Sequence, residues 1–346
     1  MERQGPPRRR APAWMGGWMA VGLGLLAGGP ALAQATATPG PVPGAEAAYP
    51  DRPIRLIVAT AAGGASDIVA RLVGQKLSEA WGQPVVVDPR PGANGNVAAQ
   101  LAAHSPPDGY TLMMGTIGVM AVNRAIYRDI GYDPAVDFDP VARLVSFSNI
   151  LVVHPSVPVH SLAEFVNYAR ARPGRVTYGT PGNGGSLHLA MVVLSRMADI
   201  QVVHVPYRGA AASLNDLIAG NLVAAFSDPL VTLPQVEAGR VRALAVSGAH
   251  RLAVAPQIPT VAEAGFPGYD VSGWLGIVAP RGTPPAVVSR LNQAFNEIVR
   301  QPDTAARLTA QGAEVVTGTP AEFGAFIRAE IARWAEVTAA AGIRAE

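Results

Sequence analysis

The stretch T60-A-A-G-G-A-S-D-I-V-A-R71 follows directly on an apolar run, I54-R-L-I-V-A59. Val69, Leu72, Val73 and Leu77 then recur at helical spacing, so the segment reads as strand, tight turn and helix. Gly63 and Gly64 supply the backbone freedom for that sharp turn. A helix that opens at a strand end points unpaired N–H groups, and a partial positive charge of roughly half a unit, beyond the sheet edge. Such an end binds an anion of the right size. Which anion depends on the side chains around it.

The same unit recurs further along. V176-T-Y178 runs into G179-T-P-G-N-G-G-S-L-H188 and a second helix. Further strands are expected at 85–88, 110–114, 149–154, 202–205, 222–226, 242–247 and 314–316. Helices are expected at 95–103, 161–171, 210–219, 229–238, 284–300 and from about 320, with a crossover at 269–279. S161-x-x-E164 and T319-x-x-E322 are capping boxes that mark two of the helix starts. Alternating strands and helices predict an α/β fold with mostly parallel sheets. Two strand–glycine loop–helix units in 346 residues predict two lobes. Each lobe offers a helix N-terminus at the carboxyl edge of its sheet, where open α/β sheets hold ligands, so a cleft should lie between them.

The N-terminus describes an export signal. Arg3, Arg8, Arg9 and Arg10 precede the apolar run W14-M-G-G-W-M-A-V-G-L-G-L-L-A27 and the small-residue end A31-L-A33. Residues 1–33 are expected to be cleaved, by Sec or twin-arginine export, and the Pro-rich residues 34–50 to form a disordered leader. Folded structure is expected from near Pro53. The signal carries four Arg and one acid, Glu2, of the chain's 27 basic and 25 acidic residues. The remainder then has 23 basic and 24 acidic residues, which gives no basic face for nucleic acid. There is no cysteine, hence no disulfide, thiol catalysis or thiolate metal site.

The glycine loops argue against phosphate. At the first, Gly63-Gly64 is followed by Ala65, Ser66 and Asp67, which fits neither nucleotide-binding pattern. At the second, Gly185 stands where a phosphate loop needs its lysine. A carboxylate asks for less: backbone N–H groups and a hydroxyl can hold it without a fixed cation. Gly63, Gly64, Ser66 and Asp67 of the first lobe are the candidate ligand residues. From the second come Gly184, Ser186, His188, Tyr207 and Asp228. Ser66 and Ser186 have an alternative as plain N-caps. Asp67 has one as an acid in a first helical turn, His188 as a helix-packing residue and Tyr207 as an ordinary half-buried phenol. An acid at Asp228 suits a ligand amine or hydroxyl better than a second carboxylate. Ser186 and His188 are two apart and do not face each other on a helix, so a serine hydrolase is a remote alternative. The scattered histidines give no metal site, and no cofactor is expected.

In their order, I54-R-L-I-V58, G63-G-A-S-D-I-V-A-R-L72, V85-V-V-D-P-R-P-G-A-N-G-N96, D108-G-Y-T-L112, Y178-G-T-P-G-N-G-G-S-L-H-L189, H204-V-P-Y-R-G209, R242-A-L-A-V-S247 and T260-V-A-E-A-G-F-P-G-Y269 resemble the Bug-type substrate-binding proteins of tripartite tricarboxylate transporters. The resemblance runs from about residue 50 to the end, and by position it implies Thr60, Ala62, Thr116 and Thr180 as further ligand contacts. It implies a type II periplasmic binding protein fold, with residues 51–148 plus 271–346 as one lobe, 149–270 as the other, and hinges near 145–150 and 270–275. It also implies a monomer in the periplasm that holds a small di- or tricarboxylate and hands it to a membrane permease, or else reports it to a sensor kinase. One departure stands out. The family pattern V-P-F-x-[PA]-G-G reads V58-A-T-A-A-G-G64 here, which implies a roomier or more polar pocket at Ala59 and Thr60.

Overall fold

The computed structural model describes residues 49–344, so the expected signal and all but the last two residues of the expected leader lie outside the described residues. The described residues begin at Tyr49. Tyr49 is buried, stacks edge-on against Trp81 and Tyr110, and donates its hydroxyl to the Gly109 carbonyl at 2.7 Å.

The first lobe opens with β1 (Ile54–Val58), α1 (Ala65–Trp81), β2 (Val85–Pro89), α2 (Asn96–Ala103), β3 (Thr111–Thr116), the short α3 (Asn123–Ile126) and β4 (Phe138–Ser148). The second holds β5 (Ile150–Val153), α4 (Leu162–Arg170), β6 (Val176–Thr180), α5 (Ser186–Ala198), β7 (Val202–Pro206), α6 (Ala210–Ile218), β8 (Ala224–Ser227), α7 (Pro229–Glu237) and β9 (Arg242–Val246). The chain then returns through β10 (Ser272–Pro280), α8 (Pro285–Arg300), α9 (Pro302–Ala310), β11 (Ala313–Val315) and α10 (Pro320–Ala341). One sheet has the order β11-β4-β10-β3-β1-β2 and the other β7-β6-β8-β5-β9.

Both sheets are mixed rather than mostly parallel. β2-β1-β3 and β7-β6-β8 are parallel, as their helical crossovers require. β10 runs antiparallel to β3 and β4, β11 antiparallel to β4, and β5 antiparallel to β8 and β9. β4, β5, β9 and β10 of this antiparallel set are the strands at which the chain passes between lobes. β4, the longest strand, escapes sequence reading because Asp139, Pro140 and Arg143 break its apolar run. Its burial comes from β10 on one side, from α8, and from α10, whose Phe326 ring lies 3.8 Å from the Arg143 guanidinium carbon.

Helices cover the sheets with regular apolar faces. In α8, Val287, Leu291, Phe295, Ile298 and Val299 are buried at three- and four-residue spacing, and each large side chain buried this way contributes about 1.5–3 kcal/mol. The C-terminal helix α10 ties the lobes together. It packs on β4 and α3 of the first lobe and on α5 of the second. Its Glu330 accepts the indole N–H of Trp274 at 3.0 Å and of Trp334 at 3.1 Å.

Candidate functional site

A cleft of about 640 Å3 opens between the sheets. The β1–α1 loop, residues 91–95 and the end of β3 wall it on one side. The β6–α5 loop, the β7–α6 loop and Asp228 wall it on the other, and Phe147, Trp274 and Leu275 of the crossover strands also line it. A second concavity of about 660 Å3 lies on the second lobe at the start of α4 and beside β9. There the helix end is already closed, because Ser161 Oγ accepts the Glu164 N–H and the Glu164 carboxylate accepts the His160 N–H. The cleft ends are not closed in this way.

α1 and α5 begin alike. Their N-caps are glycines, Gly64 (φ −82°, ψ 167°) and Gly185 (φ −77°, ψ 166°), and neither has a side-chain cap. Each is preceded by a left-handed glycine, Gly63 at φ +84° and Gly184 at φ +81°, a conformation that costs other residues roughly 1–2 kcal/mol. Ser66 and Ser186 are therefore not the caps. They stand in the first helical turn on the cleft wall, and their hydroxyls make no hydrogen bond among the described residues. The first helical bonds run from Ile68 to the Gly64 carbonyl and from Leu189 to the Gly185 carbonyl, both 3.0 Å. The amides of residues 65–67 and 186–188 thus have no helical acceptor.

Each loop spends one amide on a brace four residues ahead. The Gly63 N–H donates to Asp67 Oδ2 at 3.0 Å, which also accepts from Arg71 Nε at 3.0 Å. Burial pushes the Asp67 carboxyl up, but these two donors outweigh it and hold the group below the usual range. Asp67 is buried behind the loop and off the cleft wall, so it shapes the loop rather than facing the cleft. In the second loop, the Gly184 N–H donates to His188 Nδ1 at 3.1 Å. That fixes the His188 proton on Nε2. The ring lies in the cleft wall, stacked near Tyr178 and 4.4 Å from the His204 ring. Burial and the neighbouring His204 push its pKa down to about 4, so it is neutral. Ser186 makes no bond to it, so a nucleophile–base pair is not assembled.

Thr180, buried at the end of β6, holds this second loop from below. Its hydroxyl donates to the Gly182 carbonyl at 2.8 Å and lies 2.5 Å from His204 Nε2. Since the hydroxyl proton is used on Gly182, the His204 ring donates. His204 was not among the candidate residues. Its signal was its place opposite Tyr178 in the β6–β7 pair, which only register reveals.

The remaining candidates divide. Thr60 and Ala62 are exposed on the wall, and Thr116 ends β3 beside them. Tyr207 lines the cleft with its ring, but its hydroxyl donates to Asp216 at 2.6 Å; that bond, with burial, pushes it up to about 12. Asp228 follows β8 at the N-cap position of α7 yet makes no capping bond, and burial pushes its carboxyl up to about 6. Arg90 is turned away to Asp88. Arg208 is exposed at the cleft wall and makes no ion pair among the described residues. Phe147 and residues 91–95 were missed, because neither a strand pattern nor a glycine-rich loop says which side chain reaches a cleft. Among the described residues, no group of three His, Asp or Glu is placed to hold a metal ion.

Two lobes of mixed α/β sheet, a cleft between them and two uncapped helix ends in its walls define a solute-binding protein of the periplasmic type. The profile described as "Tripartite tricarboxylate transporter family receptor" matches residues 69–343, and the chain belongs to that family. Protein BugT of Bordetella pertussis is 33% identical over 86% of this chain and 91% of its own length. An R. palustris protein solved with adipate superposes with a TM-score of 0.83 at 40% identity, over 86% of this chain and 99% of that one. MatC from Rhodopseudomonas palustris, solved with bound malate, superposes with a TM-score of 0.79 at 32% identity, over 84% and 99%.

Proposed function

We propose that this protein is a periplasmic receptor that captures a small organic carboxylate in the interlobe cleft and delivers it to a tripartite tricarboxylate transporter. The observation that carries the reading is the pair of uncapped helix ends, α1 and α5, opening into one cleft without a fixed cation in the loops. Two half-charges and several free amides match one carboxylate and fall short of a phosphate. The relatives solved with adipate and malate support the ligand class.

In this reading the amides of residues 65–67 and 186–188 grip the carboxylate, with the Ser66 and Ser186 hydroxyls and His188 Nε2–H as further donors. Ligand binding draws residues 51–148 plus 271–346 and residues 149–270 together, with the hinge where β4 passes into β5 and the chain returns into β10. A cleaved export signal at residues 1–33 would place the receptor in the periplasm. A thermal-shift screen of mono-, di- and tricarboxylates tests the reading, because a ligand that binds only the folded state raises the Tm. A shift with a carboxylate is expected. Shifts with sugars or amines and with no acid would overturn it.

A further inference from the structure

We infer that Asn94 is a positioning residue that registers the two lobes on each other: its side chain, fixed from within the first lobe, meets the second lobe's glycine loop and holds α5 in place around a captured ligand. This role rests on the lobe closure proposed above and names the residue at which the lobes engage.

The backbone around Asn94 is unusual. Gly92, Ala93, Asn94 and Gly95 all have positive φ, at 142°, 44°, 51° and 90°. Alanine seldom sits there, and such conformations persist only where the surroundings impose them. They cluster at ligand clamps and switch regions. The run lies between β2 and α2, where residues 91–95 form part of the cleft wall.

A buried network imposes the conformation. Asn123 Nδ2 donates to the Asn94 carbonyl at 3.1 Å and to Asn96 Oδ1 at 2.7 Å. With that nitrogen committed, Asn123 Oδ1 must accept, and it does so from Asn94 Nδ2 at 2.7 Å. The Tyr132 hydroxyl lies 3.1 Å from Asn96 Oδ1 and donates to the Val119 carbonyl at 2.8 Å. Asn96, Asn123 and Tyr132 are all buried. The Asn94 amide is therefore oriented by the first lobe alone.

The same amide faces the other lobe. A Cβ on Gly184 would stand 3.1 Å from Asn94 Nδ2, and one on Gly182 would stand 4.0 Å from Asn94 Oδ1. Both glycines belong to the β6–α5 loop. Among the described residues, Asn94 Oδ1 accepts no hydrogen bond, and the Asn183 and Gly185 backbone N–H groups donate none. An acceptor held by one lobe thus faces donors on the other. When the lobes close, Oδ1 accepts from this loop, and the rigidity of the first-lobe network passes through Asn94 to the loop that aims α5.

A crystal structure with adipate or malate bound, and titration calorimetry with both acids, test this. The bound structure is expected to place Asn94 Oδ1 within about 3.2 Å of an N–H nitrogen in residues 182–185, and a separation beyond about 4 Å overturns the inference. Asn94→Gly suits the left-handed backbone and removes only the side chain. It should weaken binding about tenfold, on the order of one lost hydrogen bond. Tyr132→Phe loosens the same network at its far end, so it should lower the Tm while leaving affinity within about twofold. Unchanged affinity in Asn94→Gly, or equal losses in the two variants, would show that the network only supports the fold, and the carboxylate reading would stand. Wild-type protein that binds neither acid overturns both.

Discussion

The Gly184 N–H donates to His188 Nδ1 at 3.1 Å, the counterpart of the Gly63 N–H on Asp67 at 3.0 Å. One geometry is built twice from different chemistry, a neutral imidazole on one side of the cleft and a carboxylate on the other. In both, a side chain four residues on restrains the glycine that aims the helix end. His188→Ala removes that brace. It should weaken carboxylate binding about tenfold, the worth of one lost hydrogen bond plus a looser loop. Titration calorimetry reads this directly; unchanged affinity in a folded variant would show that the loop needs no brace.

Gly184 has a second constraint. At φ +81° it is left-handed, and a Cβ there would run into Ile126 Cδ1 and crowd Asn94 and Val122 of the facing lobe. Gly184→Ala should therefore lose stability by about 1–2 kcal/mol from backbone strain alone. Binding should fall further than at His188, since the lobes can no longer meet at this point. Equal Tm and equal affinity for wild type and variant would contradict the packing described.

The two glycine loops were legible because their pattern is local. G63-G64 and G184-G185, the helices after them and the capping boxes of α4 and α10 each lie within a few residues of sequence. The brace on Asp67 and the N-cap role of Gly64 and Gly185 were not, because serine is the commoner cap and only backbone angles show that the glycines take it. β4 was hidden by Pro140 and Arg143, whose cost is offset by α10, some 180 residues away in sequence. Phe147 reaches the cleft wall through the β4–β10 register, a long-range pairing without a sequence signature.

Glu330 offers a test of how the C-terminal helix holds the cleft wall. Its Oε2 accepts two indole N–H groups, from Trp274 and Trp334, and both rings are buried. Glu330→Ala strands both donors at about 1–3 kcal/mol each. The Tm should fall by at least about 4 °C in a thermal melt. Glu330→Gln keeps an acceptor and should cost less than half as much. If both variants melt with wild type, the two bonds contribute nothing to stability.

Asp228 and His188 make opposite contributions to stability as pH changes. Burial raises the Asp228 carboxyl to about 6 from its ordinary 3.8, so between these values the folded protein holds a proton that the unfolded chain has lost. Stability from this group is present at low pH and is lost as pH rises through about 6. His188 is pushed down to about 4 from 6.5, so in that window the unfolded chain holds the extra proton. Its contribution is present above pH 6.5 and is lost as pH falls towards 4. Between pH 4 and 6 the two slopes oppose each other and the wild-type Tm should change little on their account. Asp228→Asn removes one slope. It should raise stability at pH 8 by about 1 kcal/mol, less than the full shift implies because the side chain is only half-buried and water screens it. At pH 4 the gain should vanish, leaving a steeper acid decline driven by His188. Thermal melts of both proteins from pH 4 to 8 check this, and a constant Tm difference across the range would rule out Asp228 as the titrating group.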